Sequence, residues 1–309
     1  MRSDGFYDSK GQGRIHYIRW TPEGPARAVL QILHGMGETA ERYEKTAAYF
    51  NRLGYVVTAQ EHMGHGRSRV DTRGYFAGGW MAAAEDCMTL LDLTRKDYGE
   101  LPYALFGHSM GSFLLRTLLC RYPEKTYDAA ILSGTGWHPR TVLAATEALC
   151  RERCRDVGEK NVSPLLNHLI FGSYNGKVEH RRTEYDWLTR DQKVVDAYLQ
   201  DEDCGFPMPA GLLRDLMVGL RYIEDPEHLK KMRKDLPVLL TAGTMDPVGS
   251  YGRGVLKTEE AFRKAGMEAV DVKLYPLCRH EILNELCSGQ VHEDLSCWLE
   301  KKLFKEDVL

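Results

Sequence analysis

The stretch that most constrains the fold is Leu101–Cys120, LPYALFGHSMGSFLLRTLLC. A short apolar run, Tyr103–Phe106, reads as a buried strand, with Pro102 before it and Gly107 after it. Next comes Gly107-His108-Ser109-Met110-Gly111, and then Phe113, Leu114, Leu115, Leu118 and Leu119 recur at helical spacing. A strand feeding a helix through Gly-x-Ser-x-Gly is the setting of a nucleophile elbow. The two glycines let the chain turn sharply, so that the Ser109 hydroxyl stands clear of neighbouring side chains. The helix beginning near Met110 aims N–H groups and a positive dipole end at any charge that develops there.

A chain of 309 residues holds one large α/β domain with an insertion, or two ordinary domains. Its 43% hydrophobic and 28% charged content is that of a folded globular protein. A net charge of −3 gives no electrostatic case for nucleic acid as a partner. The opening MRSDGFYDSKGQGRIHY has no apolar core of a secretory signal, and no apolar run reaches the ~18 residues of a membrane span. The eight cysteines then read as reduced thiols of a cytoplasmic protein. Cys150 and Cys154 suit one face of a helix and lack a second pair at metal-ligand spacing, so they read as packing.

Along the chain, Gly5–Asp8 and Arg14–Trp20 read as a hairpin, and Ala28–Leu33 as a central strand ending in His34-Gly35-Met36-Gly37-Glu38. A helix is expected over Arg42–Leu53, a strand over Tyr55–Ala59, then the loop Glu61–Ser68 and a helix over Met81–Tyr98. After the elbow, Ala129–Leu132 is another strand. This alternation predicts an α/β fold: a mostly parallel sheet with helices on both faces. From about Thr135 to Asp235 only helical segments and loops are visible. The rhythm resumes with strands Pro237–Ala242 and Ala269–Tyr275, a helix near Thr258–Ala265 and a last helix at His292–Phe304. The division expected is therefore 1–134 and 236–309 for the core, with 135–235 a helical cap inserted over the carboxyl ends of the strands, where ligands bind in open α/β sheets.

A serine nucleophile needs a base for its proton and an acid to orient that base. Asp246, in Ala242-Gly243-Thr244-Met245-Asp246-Pro247, directly follows one late strand, and His280, in Leu277-Cys278-Arg279-His280-Glu281, follows the next. Asp before Pro is by itself a common turn, and His280 is one of 11 histidines. Order and strand context together make Ser109, Asp246 and His280 the catalytic candidates. The oxyanion hole is assigned to the backbone N–H groups of Met110, just after the nucleophile, and of Met36, in the loop after the first central strand. Glu38 reads as a cap or loop anchor, and His62 and His65 as anchors of a glycine-shaped loop. His280-Glu281-Ile282-Leu283-Asn284 lacks the second histidine of a zinc helix, and no dinucleotide or P-loop fingerprint is complete. No metal and no cofactor are expected.

With these residues in place, the sequence resembles the α/β-hydrolases of the monoacylglycerol lipase and bacterial lysophospholipase group. The resemblance rests on HGMGE (34–38), GHGRS (64–68), GHSMGS (107–112), AGTMDPVG (242–249), RHEILNE (279–285) and the stretch YDWLTRDQKVVDAYLQDEDCGF (185–206). It implies Ser109 as nucleophile, Asp246 as acid, His280 as base, and the Met36 and Met110 amides as oxyanion hole. Glu61-His62-Met63 departs from the group's Asp-x-x-Gly loop, which touches loop anchoring only.

The expected activity is hydrolysis of carboxylic esters through an acyl-enzyme, on small aliphatic substrates such as monoacylglycerols or lysophospholipids. Amphipathic cap segments around Leu169, Ile170, Leu213 and Met217 are expected to line an acyl groove, and the cap's apolar faces suit transient contact with a lipid surface. An aminopeptidase-like amide hydrolase is the alternative, with Glu202 and Asp203 as acidic residues for a free amino terminus. A non-catalytic ligand-binding fold is a third reading, but no triad member is missing. Cys278, two residues before His280, is either packed or reachable from the cleft.

Overall fold

The computed structural model describes residues 1–99, 101–125 and 127–304. Its strands are β1 (Arg2–Asp8), β2 (Arg14–Trp20), β3 (Ala28–Leu33), β4 (Tyr55–Gln60), β5 (Tyr103–His108), β6 (Ala129–Ser133), β7 (Val238–Gly243) and β8 (Val270–Tyr275). They form one sheet in the order β1-β2-β4-β3-β5-β6-β7-β8. The hairpin β1–β2 joins antiparallel to β4, and every pairing from β4 to β8 is parallel. The continuous apolar runs became the inner strands β3 to β6, since a strand covered on both faces has no polar side to show.

Helices α1 (Glu44–Arg52), α2 (Gly79–Tyr98) and α3 (Met110–Arg121) alternate with the first strands. α4 (Arg140–Val157), α5 (Pro164–Phe171), α6 (Gln192–Gln200), α7 (Ala210–Ile223) and α8 (Pro226–Leu229) all fall between β6 and β7. α9 (Arg253–Lys264) links β7 to β8, and α10 (Ser288–Leu303) follows the sheet. The helix expected from Arg42 begins two residues later, because Ala40–Tyr43 makes a 3-10 turn first. Successive β3 side chains go to opposite cores, as a pleated strand requires. Val29 and Leu33 join the cluster holding α2, α3 and α9, while Leu30 and Ile32 join the one holding α1 and α10.

Of the helices between β6 and β7, α4, α5, α7 and α8 share that first core, while Tyr198 of α6 packs in a smaller cluster with Leu188 and Cys204. α7 packs against α2, α3 and α4, and its Leu212, Leu213 and Leu220 belong to the same cluster as the sheet. The fully buried Arg116 of α3 reinforces this junction: it donates to Gly136 O at 2.7 Å and pairs with Glu224, just past α7, at 3.1 Å. Such a pair costs desolvation, so its partners must be in place together. Among the described residues no helix is long and apolar enough to cross a membrane.

Candidate active site

Ser109 joins β5 to α3 with φ 52° and ψ −122°, a backbone conformation that side chains with a Cβ adopt only when the surroundings impose it. Its N–H donates to Ser133 O at 2.9 Å, tying the turn to β6. The flanking glycines are steric necessities. A Cβ on Gly107 would lie 2.5 Å from Gly111 O, and one on Gly111 would lie 2.0 Å from Leu33 O.

The loop after β3 runs beside this elbow: a Cβ on Gly35 would sit 3.2 Å from the Ser109 Cβ. Glu38 accepts the Gly35 N–H and the Tyr43 hydroxyl, the latter at 2.9 Å. Gly37 is held from both sides, its N–H donating to His65 Nε2 at 3.2 Å and its carbonyl accepting the Tyr198 hydroxyl at 2.7 Å. Met36 and Met110 border the same cavity as Ser109, and among the described residues their N–H groups make no backbone hydrogen bond. His62 donates its N–H to His34 Nε2 at 2.9 Å and its own Nε2–H to His34 O at 3.1 Å. Burial lowers His34 to about 4 and His65 to about 3, so this cluster is neutral at pH 7 and acts as anchor.

Asp246 and His280 come from the loops after β7 and β8, and the two loops touch backbone to backbone. A Cβ on Gly243 would fall 2.0 Å from Cys278 O, and Met245 N–H donates to that same oxygen at 2.9 Å. His280 Nδ1 donates to Asp246 Oδ1 at 2.9 Å, with both side chains buried. Burial pushes the imidazole's pKa down, but the charge and hydrogen bond of Asp246, helped by Glu281 and Glu38, carry it above its ordinary value. The ring stands between His108, at 4.6 Å centroid distance, and Trp187, at 5.0 Å. Glu281 N–H donates to Leu188 O at 2.7 Å, fastening the loop to the segment before α6.

One residue the sequence reading passed over is Arg42. Its guanidinium meets Glu38 at 2.8 Å and takes both carboxylate oxygens of Glu281 at 2.7 Å. Only its i,i+4 spacing to Glu38 was readable from the chain.

Ser109, His280, Met36 and Met110 border a cavity of about 940 Å³ that runs between the elbow and α5–α7. Its apolar wall includes Phe113, Phe171, Phe206, Met208, Leu216 and Val248. The four expected groove residues are not on it. Leu213 and Met217, one turn apart on α7, face the core beside α2 and α3, while Ile170 packs on that core and Leu169 is 52% exposed. Their sequence neighbours Phe171 and Leu216 line the cavity instead. An amphipathic pattern names the apolar side of a helix and not which apolar residue meets a ligand. Glu202 and Asp203 are likewise absent from the wall; they sit outside it, paired with Arg73 and Arg69. Cys278 is buried, as packing predicts.

A family model described as serine aminopeptidase, S33, matches residues 24–287. A monoacylglycerol lipase of Mycolicibacterium smegmatis is 29% identical over 308 residues, covering 98% of each chain. The crystal structure of a thermostable carboxyl esterase from Bacillus coagulans in complex with glycerol superposes with a TM-score of 0.88 at 26% identity, over 98% of this chain and 99% of that one. A lipase solved in an open form gives 0.84 at 27% identity, over 99% and 100%. With its serine elbow, its sheet order and this near full-length match, the chain belongs to the serine aminopeptidase S33 family of α/β-hydrolases.

Proposed function

We propose that this carboxylic ester hydrolase cleaves aliphatic acyl esters of the monoacylglycerol or lysophospholipid kind through an acyl-enzyme on Ser109. The observation that carries the reading is the buried Asp246–His280 pair, 2.9 Å apart, at the cavity that Ser109 borders. His280 takes the Ser109 proton as the hydroxyl attacks the carbonyl, then gives it to the leaving alcohol. Asp246 keeps Nδ1 protonated, so that Nε2 is free to accept, and stabilises the imidazolium. The Met36 and Met110 amides receive the oxyanion. Water then repeats the cycle on the acyl group. The size of the cavity and its aromatic and aliphatic wall suit an acyl chain.

The segment 135–235 serves as the cap that sets substrate choice. On α5, Leu165 and Leu169 are exposed one turn apart, while Asn167, His168 and Phe171 border the cavity. That arrangement supports transient contact with a lipid surface beside the cavity. All eight cysteines are free, in keeping with work in the cytoplasm. Because Glu202 and Asp203 lie away from the cavity, the ester reading is preferred to cleavage at a free amino terminus.

Purified protein assayed on p-nitrophenyl and glycerol esters of increasing chain length, beside aminoacyl p-nitroanilides, tests this. Esters should be turned over at least about 100-fold faster by kcat/KM, a margin of about 2.7 kcal/mol in transition-state binding. A preference for the aminoacyl amides overturns it.

A further inference from the structure

We propose that Cys278 and Cys287 are a covalent modification site: they close to a disulfide that staples the His280 loop in its working position. Cys278 lies two residues before His280, and Cys287 immediately precedes α10, so the pair brackets the whole loop that carries the base. The two sulfurs already stand 2.9 Å apart. A disulfide needs about 2.05 Å, so closure asks for a movement of under about 1 Å.

The loop between them is held in the shape this contact requires. Glu285 accepts the Arg279 N–H at 2.8 Å and the Arg190 Nε–H at 2.9 Å, while Arg190 Nη2 reaches Cys278 Sγ at 3.5 Å. Met245 N–H donates to Cys278 O, which fixes the same residue to the loop of Asp246. The sulfurs meet while His280 holds Asp246 at 2.9 Å, so the bond forms without displacing the base. Oxidation here preserves turnover and resists opening of the loop.

The two thiols have different parts. Cys287 is half-buried and immediately precedes α10, so it is the sulfur of the pair that a reagent in solution reaches. Cys278 is buried, and burial pushes its thiol up to about 12, so it does not react first. The oxidant is a low-molecular-weight disulfide. The Cys287 thiolate attacks one of its sulfurs, forming a mixed disulfide and expelling one thiolate, which takes up the proton Cys287 released. Cys278 then attacks the Cys287 sulfur with loss of its own proton, and Arg190 stabilises the thiolate on the way. The second small thiolate leaves and is protonated. Two protein thiols are oxidised to one disulfide, and one small disulfide is reduced to two thiols.

The whole protein is incubated with oxidised glutathione, then examined by intact mass, peptide mapping, ester turnover and thermal inactivation, with dithiothreitol reversal and Cys287→Ser alongside. The expected result is a Cys278–Cys287 linked peptide and turnover within about twofold of the reduced enzyme. Thermal inactivation should slow by at least about fivefold, as closing a ten-residue loop predicts. Dithiothreitol should reverse the effect, and Cys287→Ser should lack it. Three results overturn the proposal: glutathione on the exposed Cys297 with no 278–287 link, a link that lowers turnover tenfold or more, or a link that leaves thermal inactivation unchanged. The linkage is read by mass, so it stands or falls independently of which substrate the enzyme cleaves.

Discussion

Arg42 and Glu281 form a two-point ion pair, both N···O distances 2.7 Å, that joins the loop after β3 to the loop carrying His280. The guanidinium also meets Glu38, which holds Gly35, and lies 4.9 Å from the ring of Tyr198, which holds Gly37. One cation therefore spans two of the loops that build the site.

Arg42→Met leaves two buried carboxylates without their cation and should destabilise the fold by about 3–5 kcal/mol in denaturant melts. Arg42→Lys keeps the charge but loses the fork, and should recover only part of this. Arg42 overcomes the burial penalty and holds Glu281 below the ordinary carboxylate range. A depressed carboxylate contributes stability above its unfolded pKa and loses it as the pH falls toward the folded value. Wild-type stability should therefore drop as the pH falls from the ordinary carboxylate range, and Arg42→Met should show less of that acid dependence.

His280 sits above its ordinary value, and in the proposed mechanism only its neutral form accepts the serine proton. Ester kcat/KM should therefore rise with pH along a titration centred above about 6.5. Asp246→Asn should lower turnover by up to about 10⁴ by favouring the wrong tautomer of the base, with little change in the melt. Near wild-type turnover in that variant would assign the acid role to another carboxylate.

At Gly243 the carbonyls of Cys278 and Arg279 occupy the place of a side chain, 2.0 and 2.2 Å from where a Cβ would stand. Gly243→Ala should push the loops of Asp246 and His280 apart. Overpacking of this kind costs about 1–3 kcal/mol, and a displacement near 1 Å should cost about 10² in kcat. Unchanged kcat would mean that the loops absorb the methyl group elsewhere.

Leu216 borders the cavity while Leu213, on the same helix, is in the core. Leu216→Trp should shift ester preference to shorter acyl chains in a chain-length series. Leu213→Ala should instead cost about 2–5 kcal/mol of stability and leave the chain-length profile as it was. If both variants shift the profile alike, the cavity wall has been assigned wrongly.

The fold was largely legible because its signals are local. Apolar runs such as Ala28–Leu33 and Pro237–Ala242 became the strands β3 and β7, and glycine spacing marked the elbow around Ser109. Asp246 and His280 were readable from their places after successive strands. What escaped is set by tertiary packing. Arg42 and Glu281 lie 239 positions apart, and no pattern in the chain couples them. The apolar stretch Leu165–Phe171 offers apolar residues on every side of α5, so its periodicity does not separate the exposed Leu169 from the cavity-lining Phe171.

The central claim is that Ser109 carries the acyl group. Intact-mass and peptide analysis after reaction with a fluorophosphonate tests it most directly, with ester turnover followed in parallel. The account predicts one adduct, on Ser109, with loss of turnover in step with labelling, and no adduct at this position in a folded, inactive Ser109→Ala variant. An adduct on another residue with Ser109 unmodified, or a Ser109→Ala variant retaining more than about 10⁻³ of wild-type turnover, contradicts it.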